Sequence, residues 1–109
     1  MVFGLERIRF LEENWRRITL LVLNASRKFI DVKEAVVYGS VIKGKAMGSS
    51  DLDIALIVRN LDVKRLTDIL VKIHLSLPEE ISEIVDLNLI DEKDEEDFLK
   101  FVGKYVILN

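Results

Sequence analysis

Apolar positions near the start of the chain recur at the interval of a helix face. Ile8, Leu11, Trp15, Ile18, Val22, Ala25 and Phe29 stand three or four apart, so on an α-helix their side chains stack in one stripe. The spacing predicts a helix from Leu5 to Ile30. Leu20, Leu21 and Leu23 widen the stripe beyond one face. Two readings of that surplus stay open: a helix sunk deeper in its own core, or a face that packs on another molecule. Trp15 reads as core, and Arg16-Arg17 as a solvated face that also suits an acidic partner.

The period then changes. Asp31 through Glu34 break the helical pattern, and a β-prone run begins at Ala35 and stops at Gly39-Ser40. A loop with a short helix leads to a second strand that opens with Asp51 and Asp53 and runs to Val58. Arg59 to Asp62 is a polar turn with Asn60 or Asp62 available as N-cap. Val63, Leu66, Ile69, Leu70, Ile73 and Leu77 then mark a second helix, ending ahead of Pro78. From Glu83 to Ile90 the chain alternates, with Val85, Leu87 and Leu89 against Ile84, Asp86, Asn88 and Ile90, which predicts a third strand. Asp91 opens a last helix that is acidic early and basic late, as the helix dipole favours, with Gly103 as its stop. That dipole match accounts for the acidic cluster without a second metal site. Tyr105 to Leu108 is a short closing strand.

The element order predicts a single α/β (α+β) domain over residues 1–109, with a mixed sheet of about four strands and helices packed on one face. Its segments are 1–33 (long helix and turn), 34–58 (the region of Gly39-Ser40 and Asp51-x-Asp53) and 59–109 (the third strand and the C-terminal helix and strand). The sheet face near the aspartates is left open.

Composition narrows the function. At 109 residues the chain supports one core. A net charge of −3 supplies no general attraction for nucleic acid, so direct nucleic-acid binding is not expected. The absence of Cys excludes disulfides, thiol nucleophiles and zinc fingers, and a single His, His74, excludes multi-histidine metal sites. His74 stands beside the helical stripe without a nearby carboxylate in sequence and reads as a boundary residue. The start, Met1 to Arg7, turns charged too early for a secretory leader. The longest apolar run, Ile18 to Leu23, is interrupted by Thr19 and too short to span a bilayer. A cytoplasmic protein is expected. The lack of Gln and Cys with abundant Lys and Glu leans toward thermophile composition.

The chemistry concentrates between Tyr38 and Val58. Asp51 and Asp53 stand two apart and on a strand would share a face, with Leu52, Ile54, Leu56 and Val58 on the other. Like charges held together call for a compensating cation. Upstream, a strand that ends in Gly39-Ser40 is the type of turn whose backbone N–H groups cradle phosphate. Asp86 is a lone charge in mid-strand, costly there unless paired, metal-bound or wet; an exposed Asp on an open sheet face is the alternative.

Gly39-Ser40, ten residues, then Asp51-x-Asp53 resembles the Gly-Ser…Asp-x-Asp signature of the polymerase-β-like nucleotidyltransferase superfamily. Lys43-Gly44 stands where that superfamily usually has a basic residue and Gly, and Ser49-Ser50 precedes the first Asp much as its polar pair does. Tyr38 replaces the more common Phe. At this length the chain is similar to the minimal nucleotidyltransferases, the small prokaryotic type often paired with a HEPN-domain protein. The resemblance implies that Asp51, Asp53 and Asp86 are the catalytic carboxylates and ligands of Mg²⁺, two ions, with Mn²⁺ as a substitute. It implies that Gly39, Ser40, Lys43 (or Lys45) and Ser50 receive the phosphates of ATP. It further implies transfer of AMP to a hydroxyl on a partner protein, expected to be a HEPN-type toxin, with this chain as antitoxin. A non-catalytic nucleotide-binding or occluding module is the alternative, and self-association through the first helix is a second partner expectation.

Overall fold

The computed structural model describes residues 4–109. Met1 to Phe3, the beginning of the 1–33 segment and of the charged start, lie outside the described residues. Strands Val32–Tyr38 (β1), Leu52–Val58 (β2), Val85–Asp91 (β3) and Tyr105–Leu108 (β4) form one mixed sheet in the order β3-β2-β1-β4. β1 runs antiparallel to both β2 and β4, while β2 and β3 are parallel. The parallel pair is joined, as it must be, by a helical crossover. This holds Leu66–Ser76 (α2) and the four-residue Glu79–Ser82 (α3).

β2 is central, and apart from Asp53 its residues are all apolar and buried. A strand covered on both faces loses the alternation of a half-exposed one. On one face, helix Gly4–Ser26 (α1) and α2 supply Leu11, Ile18, Val22, Leu23 and Ile73 against Leu52, Ile54 and Leu56. This is the main helical layer, and it follows from the 3.6-residue spacing. On the other face, Phe98 and Leu99 of the last helix, Glu95–Val102 (α4), lean on Val36, Ala55 and Ile57. α4 thereby covers the far part of that face. The part near Asp53 and Asp86 stays open.

Several boundaries differ from the expectations. α1 ends at Ser26, four residues before Ile30. Ser26 Oγ donates back to the Leu23 carbonyl at 2.9 Å, and Arg27 reaches ahead to the carbonyls of Val32 and Lys33, turning the chain into the sheet. Phe29 is therefore exposed rather than part of the buried stripe. β1 starts at Val32, inside the Asp31–Glu34 stretch read as a break. A bulge between Val32 and Glu34 absorbs the irregularity, and Lys33 ties the strand to α4 by an ion pair with Glu95 at 2.8 Å. The surplus leucines separate: Leu23 is buried, whereas Leu20 and Leu21 are about 40% exposed (40% and 39%).

The second helix begins as a single 3₁₀ turn, Val63–Arg65, capped by Asp62, whose Oδ1 accepts from Lys64 N–H at 3.1 Å. α3 was not apparent from periodicity because four residues carry too little pattern. His74 Nδ1 lies 2.9 Å from Ser82 Oγ of α3, the boundary position that the sequence implied. Asp91 opens the α4 segment by accepting from Lys93 N–H and also from Leu61 N–H, both at 3.0 Å.

Candidate nucleotide and cation site

The candidate site is built on one rung of the sheet. Tyr38 of β1 is opposite Asp53 of β2, and Asp53 is opposite Asp86 of β3. Residues paired across a ladder project to the same face, with adjacent strands about 4.8 Å apart. Two carboxylates consequently stand side by side on the open face. The consequence for Asp53 is large: its pKa is pushed up from 3.8 to about 6. Partial burial is the first cause, followed by the Asp86 charge, a hydrogen bond with Asp86 and the Asp51 charge, with Lys43 pulling the other way. Without a cation, such a pair relieves its repulsion by holding a proton.

Gly39 follows Tyr38 directly and meets this pair. It has φ +82°, and a Cβ built there would lie 2.8 Å from Cγ of Asp53. Both the backbone conformation and the space next to Asp53 require glycine. The chain then closes a single hydrogen-bonded turn, with Lys43 N–H donating to Gly39 O at 3.1 Å and Lys45 N–H to Ser40 O at 2.9 Å. The short helix expected in this loop is thus one turn only, because Gly44 takes φ +70° and ends it. Ser40 Oγ hydrogen-bonds Ser50 Oγ at 3.2 Å, and Ser50 Oγ also accepts from Met47 N–H at 2.8 Å. The two ends of the loop are pinned through two of the expected phosphate-binding hydroxyls. Lys43 and Lys45 are exposed at the loop surface.

Asp51 is placed differently from its two counterparts. It lies one residue before β2, so strand alternation does not carry it onto the Asp53 rung. Its Oδ1 is bound by Arg7 of α1 at 2.5 Å, and Arg7 Nε donates to the Ser50 carbonyl at 3.0 Å. Among the described residues no three Asp, Glu or His side chains are gathered closely enough to hold one cation together. The structure brings Asp53 and Asp86 together and leaves Asp51 on Arg7. The pair still fits a hard divalent cation, since it offers carboxylate oxygens on an open face where water can complete the ligand shell.

Two partners of this site escaped the sequence reading. Arg7 had no signal, because a basic residue on an amphipathic helix ordinarily faces water. Asn88 donates to the Tyr38 hydroxyl at 2.9 Å, across Ala55 of the intervening strand. Tyr38 also packs edge-on against Phe98, with ring centroids 5.3 Å apart. Asn88 was legible in principle: it shares the Asp86 face, and Ala55 is the one small residue of β2. An apolar groove of about 500 Å³, lined among others by Leu61, Val63, Leu66 and Phe101, lies at the other end of β3, away from the carboxylates.

Comparisons with known proteins bear on the family and the fold. The family model described as polymerase beta, nucleotidyltransferase, matches residues 22–107. Among solved structures, a candidate nucleotidyltransferase from Sulfolobus solfataricus superposes with a TM-score of 0.62. It is 18% identical, over 94% of this chain and 83% of that one, a likeness of fold. No curated protein matches the chain. Among the described residues no helix is long and apolar enough to cross a membrane.

Proposed function

The chain belongs to the polymerase β nucleotidyltransferase family, and on that premise we propose that it transfers AMP from ATP to a hydroxyl on a partner protein. The observation that carries the reading is the Asp53–Asp86 pair on one rung of an open sheet face, with the Gly39 turn against it. Gly39 lets the backbone N–H groups of the turn approach a triphosphate closely, and Ser40 and Ser50 offer hydroxyls at the same place. Lys43 adds a positive charge that already acts on Asp53. A Mg²⁺ or Mn²⁺ ion held by Asp53 and Asp86 would offset charge on the phosphates and favour the alkoxide form of the acceptor. The acceptor oxygen forms a bond to the α-phosphorus as the bond to the bridging oxygen of pyrophosphate breaks. The hydroxyl proton leaves to a carboxylate of the pair or to water.

The open ledge suits an acceptor presented by another molecule. A HEPN-domain protein fits the resemblance noted in the sequence, with the chain acting as antitoxin. The test incubates such a partner with labelled ATP and Mg²⁺ and reads transfer by intact mass. Wild type is expected to modify the partner, and Asp86→Asn, which removes one of the two carboxylates offered to the cation, to lose transfer together with most cation-dependent triphosphate binding. A partner that is bound and silenced without any mass change would decide instead for an occluding module. Undiminished transfer by Asp86→Asn would remove Asp86 from the chemistry.

A further inference from the structure

The family match begins at residue 22, within α1, so the first turns of that helix lie outside it. Those turns nevertheless touch the site twice. Arg7 binds the Asp51 carboxylate through Oδ1 and the Ser50 carbonyl through Nε. Independently, the backbone of Gly48 approaches α1 so closely that a Cβ at residue 48 would lie 2.7 Å from Gly4 Cα. A side chain at residue 48 would push the loop and the helix start apart.

From these contacts we infer that Arg7 is a positioning residue for the proposed cation and nucleotide site, which rests on the reading above. Its guanidinium spans two successive residues, a geometry that a point charge such as Lys reproduces only in part. It occupies Oδ1 of Asp51 and so fixes where that carboxylate stands relative to the loop. Ligating carboxylates are characteristically held by such an outer hydrogen bond, which orients them. Through Ser50, the same contact reaches Ser40 and the Gly39 turn. The N-terminal turns of α1 thereby brace both the metal side and the phosphate side of the loop.

The test compares wild type, Arg7→Ala, Arg7→Lys and Gly48→Ala in two measurements. Hydrogen exchange in chelator reads the brace itself: Arg7→Ala and Gly48→Ala should speed exchange at residues 47–51 while leaving β2 and β3 protected. Mn²⁺ titration followed by the paramagnetic signal of free ion reads its purpose. Arg7→Ala should bind Mn²⁺ about tenfold more weakly or worse, at an unchanged melting temperature in chelator, with partial recovery in Arg7→Lys. The Gly48→Ala variant should weaken binding with no charge removed, which separates position from electrostatics. Equal or tighter Mn²⁺ binding by Arg7→Ala, beside normal binding by wild type, overturns the inference alone. Failure of wild type to bind Mn²⁺ overturns both the cation reading and the role given to Arg7. Unchanged exchange at residues 47–51 shows that Arg7 does not brace the loop and likewise overturns the inference.

Discussion

Asp53 is the residue at which the site's electrostatics can be measured. Its native pKa of about 6 lies above the ordinary 3.8, so between these values the native state holds a proton that the unfolded chain has lost. Stability then falls as pH rises through that window, since the unfolded state binds fewer protons. Above the window the loss is complete, and below it there is none. Asp53→Asn should therefore be more stable than wild type at pH 7 in chelator and equal to it at pH 4. At a half-exposed group screened by solvent the gain is on the order of 1 kcal/mol. Thermal melts at both pH values check this, and an equal difference at the two would refute it. Gly39 is the second residue-scale case. Gly39→Ala forces a side chain into a left-handed conformation, which costs about 1–2 kcal/mol, and into the Asp53 carboxylate. It should lower the melting temperature by several degrees and weaken ATP binding, and a neutral effect in both would show that the turn relaxes freely.

Among the elements, α1 holds the largest difference between pattern and structure. Its apolar stripe correctly named the core side, yet the helix stops early because Ser26 and Arg27 bond back and forward to turn the chain. Leu20 and Leu21 stay exposed next to Arg17 and Lys28, around a shallow groove that reaches Pro78. Sedimentation at tens of micromolar should show reversible self-association, and Leu20→Ser with Leu21→Ser should abolish it without loss of stability, since neither side chain is in the core. A wild-type chain that stays monomeric would leave these leucines as ordinary surface. The loop between β1 and β2 shows the reverse case. Its sequence suggested a short helix that the structure reduces to one turn, and its order comes from Ser40–Ser50, from Arg7 and from the Gly4–Gly48 approach.

For the whole molecule, the expected behaviour is binding of ATP that depends on divalent cation. Calorimetry should register ATP only with Mg²⁺ or Mn²⁺ present, and affinity for Mn²⁺ should decline as pH falls through about 6, where protonation of Asp53 competes with the cation. Equal ATP affinity in chelator would rule the cation out of binding. Much of the architecture needed for this was already determined by the sequence alone. Periodicity of 3.6 and of 2 is set by local geometry, so α1, α2, β2, β3 and their buried faces could be read directly. The Gly39-Ser40 turn and the candidate Asp86 could be read for the same reason: a glycine after a strand and a charge in one both demand an explanation. What only the tertiary structure decided is which strands lie side by side. The order β3-β2-β1-β4 opposes Asp53 to Asp86 and brings Asn88 to Tyr38. It also carries Arg7, 44 residues away in the chain, to Asp51. Such pairings depend on long-range packing around a shared core, and no local period records them.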